Sequence, residues 1–151
     1  MKYAHLIKLT VFSYENENVD AILESCRNFF PFNLDENKII IKNTIASGFN
    51  EKRIYILETT LANNNLINKF LRSIFSILDE TQKKQILMQI DSRLDEHLDF
   101  FLRFDKDSWI NGKKIVLTDS GKCFHARISI AAFPKKREIA LNLIKELFNE
   151  K

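Results

Sequence analysis

Leu98-Asp99-Phe100-Phe101-Leu102-Arg103-Phe104-Asp105 decides the fold. Leu98, Phe100, Leu102 and Phe104 fall on one side of an extended chain, and Asp99, Phe101, Arg103 and Asp105 on the other. Cys123 to Ala131 repeats the pattern, with Phe124, Ala126, Ile128 and Ile130 inward and His125, Arg127 and Ser129 opposite. Ile115-Val116-Leu117 between them reads as a short strand. Working towards the N-terminus, Lys38 to Ala46 carries Ile39, Ile40, Ile41 and Ile45, and Arg53 to Leu61 alternates. With Ser47-Gly48-Phe49-Asn50 as the turn, these two segments predict a hairpin. Tyr3 to Phe12 reads as the first strand, apolar at Tyr3, Ile7, Leu9 and Val11, and a candidate edge strand open to pairing.

Four segments change to helical spacing. Val19, Ile22, Leu23 and Cys26 follow Asn16 and Asn18 as capping candidates, and Pro31 ends that helix. Leu66, Ile67, Phe70, Leu71, Ile74, Ile77 and Leu78 follow Asn63-Asn64-Asn65, an amphipathic helix behind good capping residues. A further helix is expected from about Asp79 through Ile86, Leu87, Ile90 and Leu94. The last one is expected to open at Pro134 and carries Ala140, Leu143, Ile144, Leu147 and Phe148 as one stripe. The predicted order is βαββα-α-βββα: an α+β class, mostly antiparallel sheet with helices packed on it. The 151 residues, with 3 Gly, 2 Pro and no linker or repeat, predict a single domain over 1–151.

The 45% hydrophobic and 28% charged content excludes a mainly disordered chain. No apolar run reaches the ~18 residues of a membrane span, and Met1-Lys2-Tyr3-Ala4-His5 lacks the plan of a signal peptide. A soluble, cytoplasmic protein without a membrane partner is expected. Cys26 and Cys123 read as buried free thiols, and His5, His97 and His125 have no metal-ligand spacing.

Charge is unevenly distributed. Residues 1–97 carry 12 basic and 13 acidic side chains, whereas residues 103–137 carry nine basic against three acidic, a net of +6. Those nine are Arg103, Lys106, Lys113, Lys114, Lys122, Arg127, Lys135, Lys136 and Arg137, the footprint of a polyanion partner. Lys135-Lys136-Arg137 are expected in the first turn of the last helix, where cations are unfavourable unless an anion docks. His125 and Arg127 share a strand face, so they extend that surface if the face is open and are buried if helices cover it. Trp109, in the polar loop expected over Asp107 to Lys114, is placed either to stack on a base or to anchor the core.

Catalytic patterns are poor. Asp105-x-Asp107 has Lys106 and Arg103 as charge balance. Asp91, Asp95 and His97 do not share a helix face, and phosphate-cradling Gly-rich loops, Gly-x-Ser-x-Gly and Cys-x-x-Cys are absent from the sequence. No enzyme activity, metal or cofactor is expected.

Leu102-Arg103-Phe104-Asp105-Lys106, Gly112 and the run His125 to Glu138 resemble the signature of a small archaeal RNA-binding-domain family. Its members are described as predicted exosome subunits, with a fold related to double-stranded-RNA-binding domains and to the 5S-RNA-binding ribosomal protein. Ala46-Ser47-Gly48-Phe49 and Phe29-x-Pro31-Phe32 look similar to the same pattern. The resemblance implies a non-enzymatic RNA-binding protein, with structured or double-stranded RNA and the exosome or other RNA-processing proteins as partners. Unlike a typical double-stranded-RNA-binding domain, the chain has no Gly-Pro-x-His loop. The resemblance supplies no contact residues. Charge placement nominates Arg103, Lys106, Lys113, Lys114, His125, Arg127, Lys135, Lys136 and Arg137, acting mainly on backbone phosphates. A second reading stays open: a protein-interaction module, a homodimer without direct RNA contact.

Overall fold

The computed structural model describes residues 1–47, 52–119 and 121–149. In chain order the elements are β1 (Ala4–Tyr14), α1 (Val19–Asn28), β2 (Lys42–Ser47), β3 (Arg53–Leu61), α2 (Asn64–Ile77) and α3 (Glu80–Met88). They continue as α4 (Ile90–Arg93), β4 (Asp99–Asp105), α5 (Lys106–Gly112), β5 (Cys123–Ile130) and α6 (Arg137–Asn149). The strands form one antiparallel sheet in the order β2-β3-β1-β5-β4. The class is α+β, as the alternation predicts. The first strand is not an edge, however. β1 is central and its ladder is filled on both sides, leaving β2 and β4 at the margins.

The period-two reading survives residue by residue. Phe100, Leu102 and Phe104 of β4, and Phe124, Ala126, Ile128 and Ile130 of β5, are buried, while their neighbours on the other face are half-exposed. The hairpin is also present, with Lys42 paired to Glu58 and Ser47 to Arg53; most of its expected turn lies outside the described residues. β2 begins only at Lys42, because Lys38 adopts φ 58° and Ile40 faces solvent. Ile115-Val116-Leu117 is not a strand: it contributes one bridge, Leu117 to Phe104.

Two compact units can be distinguished. One comprises residues 8–60 and 103–126. Its core is built round Phe29, whose ring centroid lies 5.5 Å from Phe104, 4.7 Å from Trp109 and 5.1 Å from Phe124. Each fully buried ring of this kind contributes roughly 2–3 kcal/mol of hydrophobic stabilisation. Asn18 caps α1 by accepting from the Asp20 and Ala21 amides. The polar run at Trp109 is helical rather than a loop. Asp105 accepts from the Ser108 amide at 3.0 Å and its hydroxyl at 2.6 Å, capping α5, and Lys113 ends it in the left-handed region. Trp109 is a core anchor, its Nε1 donating to the Ser25 carbonyl at 2.9 Å.

The other unit comprises residues 1–7, 61–102 and 127–151. Asn63 caps α2, which buries Leu66, Ile67, Phe70, Leu71, Ile74 and Phe75. Phe75 meets Phe148 edge-on at 4.8 Å, and Ala140, Ile144 and Leu147 of α6 are buried. The helix expected from Asp79 through Leu94 is broken at Gln89. Asp79 and Gln82 form a capping box on α3, α4 is a separate short turn, and Leu94 bridges to Phe100. Among the described residues no helix is long and apolar enough to cross a membrane.

Candidate functional site

The nine cations between residues 103 and 137 have different fates. Lys106 is the clearest correction. It is 1% exposed, and its Nζ donates to the Phe12 carbonyl and to Glu17 Oε1, both at 2.7 Å. Sequence spacing placed it among surface charges, but as the first residue of α5 it turns inward under the end of β1. Burial pushes the Glu17 carboxyl up. The Lys106 hydrogen bond, the Tyr14 amide and the charges of Lys106 and Lys122 outweigh burial, so the group ends below its ordinary value.

Lys106 also lines a cleft of about 370 Å³, walled by Phe12, Tyr14, Arg103, Lys122 and His125 among others. Arg103 and His125 occupy the half-exposed faces of β4 and β5. Lys122 follows Gly121, whose φ of 83° disfavours any residue with a Cβ. Its Nζ lies 5.2 Å from the centre of the Tyr14 ring, and the Lys106 Nζ lies at the same distance. Phe12 is 42% exposed and meets Tyr14 edge-on, centroids 6.5 Å apart at 79°. Lys113 and Lys114 are exposed just beyond α5.

In the other unit, Arg127 is half-exposed on the open face of β5, with Nε 3.9 Å from Asp99 Oδ2. Ser129 donates to Asp99 Oδ1 at 2.7 Å. Lys135 and Lys136 are exposed but precede α6 rather than forming its first turn. The Phe133–Pro134 peptide is cis, the Lys136 amide donates to the Pro134 carbonyl, and the first helical bond joins the Ala140 amide to the Lys136 carbonyl. Arg137 is committed to the protein. Its guanidinium donates to the Leu94 carbonyl at 3.0 Å and the Asp91 carbonyl at 2.8 Å.

Six of the nine cations, Arg103, Lys113, Lys114, Lys122, Lys135 and Lys136, therefore have no ion pair among the described residues. Phe12, Tyr14 and Lys122 line this cleft but are not among the residues nominated from sequence. The signal was an aromatic pair two apart on the face of β1 opposite Leu9 and Val11; ending the strand at Phe12 hid it. Both cysteines are thiols rather than a disulfide. Burial pushes Cys26 up to about 12, against the pull of Lys106 and Arg27, so it stays protonated at neutral pH. Among the described residues no three His, Cys, Asp or Glu side chains gather as a metal-binding group.

The five-stranded antiparallel sheet with its helices places the protein in the α+β class. The chain belongs to the RNA-binding family whose model matches residues 6–130. It is 24% identical over 143 residues to the RNA-binding protein PAB1135 of Pyrococcus abyssi, spanning 95% of this chain and 92% of that one. Protein AF2318 of Archaeoglobus fulgidus superposes with a TM-score of 0.84 at 24% identity, covering 95% of this chain and 99% of its own. Mth689 of Methanothermobacter thermautotrophicus follows at 0.78 and 22%, covering 97% and 98%.

Proposed function

We propose that the protein binds structured RNA chiefly through backbone phosphates. The observation that carries this reading is the set of six outward cations with no ion pair among the described residues, in a member of an RNA-binding family. In one unit these are Arg103, Lys113, Lys114 and Lys122, with His125 beside them; in the other, Lys135 and Lys136, with Arg127 adding its half-exposed charge. Lys106 and Arg137 hold the framework that presents them. Phosphate contacts position a protein without reading sequence, so the expected recognition is by shape and weakly sequence-specific. The exosome and other RNA-processing proteins are the partners that the family resemblance implies.

Fluorescence anisotropy tests the reading, using a labelled RNA hairpin, an unstructured RNA and a DNA duplex of matched length at two salt concentrations. The expected result is tightest binding to the hairpin and a steep loss of affinity with salt. A protein that binds none of the three at low salt overturns the proposal and moves the homodimeric interaction module to first place.

A further inference from the structure

We infer that the cleft beside Phe12 is a subsite for one unpaired RNA nucleotide, its base stacked on the Phe12 ring and its phosphate held by Arg103 and Lys122. The inference rests on the RNA-binding reading above and adds to it a contact with a base.

Three features of the cleft carry it. The first is the ring. Phe12 lies on the central strand of the sheet, lines the cleft and is 42% exposed, so part of its ring is open to a ligand there. Tyr14 is occupied differently, since two ammonium groups lie 5.2 Å from its ring centre. Phe12 therefore supplies the free aromatic surface, and the edge of Tyr14 helps fix its orientation.

Rigidity is the second feature. The carbonyl of Phe12 accepts from the buried Lys106 ammonium at 2.7 Å, and the same ammonium is tied to Glu17, which in turn accepts from the Tyr14 amide at 2.9 Å. The strand end carrying both rings is thus locked before any ligand arrives, which lowers the entropy lost on binding. Lys106 acts here as a positioning residue.

Chemistry at the rim is the third. Arg103 and Lys122 line the cleft and have no ion pair among the described residues. One free aromatic face with two cations matches a nucleotide, a planar base joined to an anion. The volume of about 370 Å³ suits a single such unit and not a paired stem. Aromatic side chains on a sheet face stack unpaired bases whatever their identity, because every base offers a π-face.

The test compares a blunt RNA hairpin closed by a non-nucleotide linker in place of its loop with the same hairpin carrying a short oligoadenosine 3′ overhang, and with a third whose overhang is abasic but keeps its phosphates. The native protein is expected to favour the adenosine overhang over the abasic one by about fivefold or more. Phe12→Ala should abolish that preference while leaving blunt-hairpin affinity within about twofold. Arg103→Ala should weaken both overhang hairpins alike. Thermal unfolding of each variant checks that the exposed substitution leaves the fold intact. Equal binding of adenosine and abasic overhangs, or a Phe12→Ala loss shared by the blunt hairpin, overturns the subsite and leaves phosphate binding standing. Failure of the native protein to bind any of the three hairpins overturns the RNA-binding reading, and the subsite with it.

Discussion

The end of β1 in one unit and the start of α6 in the other both use a cation to bind backbone carbonyls, at very different depths. Lys106 is 1% exposed and shares its ammonium between the Phe12 carbonyl and a carboxylate of low pKa. Arg137 keeps 42% of its side chain in solvent while it ties Leu94 and Asp91 to the helix start. Removing the first cation takes a buried donor from the Phe12 carbonyl and leaves the part-buried Glu17 carboxylate with the Tyr14 amide alone. Water can replace the second. Within 35 residues the same charge is thus a structural part in one place and a surface clamp in another.

The largest effect that would break this contrast is on Lys106. Lys106→Met should lower stability by about 2 kcal/mol, because it takes the donor from the Phe12 carbonyl and leaves Glu17 with the Tyr14 amide alone. Urea unfolding reads this through the midpoint, and a loss under about 1 kcal/mol would return Lys106 to the surface cations. Arg137→Ala should cost less, about 1 kcal/mol, since its carbonyl partners can turn to water. Equal losses at the two sites would erase the difference in depth.

The smallest effect is the acid limb of stability. Glu17 has its folded pKa below the unfolded value, so its contribution is complete above about pH 4.3 and drains as pH falls through the lower folded value. Glu17→Gln should flatten that limb when unfolding midpoints are followed from pH 6 to 3. A native limb of identical slope would show that the carboxylate is unpaired in solution.

Much of this was legible in the sequence because sheet periodicity is local. Phe100, Leu102 and Phe104 against Phe101 and Arg103 needed no tertiary knowledge, nor did the Asn18 and Asn63 caps. Strand order was not legible. Nothing in Tyr3 to Phe12 reveals that both of its edges are paired, and a central strand with an open face looks like an edge strand. At the site, spacing gave the density of cations but not their direction. Lys106 and Lys122 are both lysines among polar neighbours; only the turn of α5 under β1 buries one and leaves the other beside the cleft. The late start of α6 escaped the sequence too, because Pro134 suits both a first helical turn and the loop turn that it occupies.

On the proposed reading, the cations with no ion pair among the described residues, and not the committed ones, meet RNA phosphates. The salt dependence of hairpin affinity tests it most directly, measured for the native protein, the double variant Lys135→Ala/Lys136→Ala, and Arg137→Ala. The double variant should bind more weakly and lose about two from the slope of log affinity against log salt, one per phosphate contact. Arg137→Ala should leave that slope unchanged. A slope that falls for Arg137→Ala and holds for the double variant would contradict the claim.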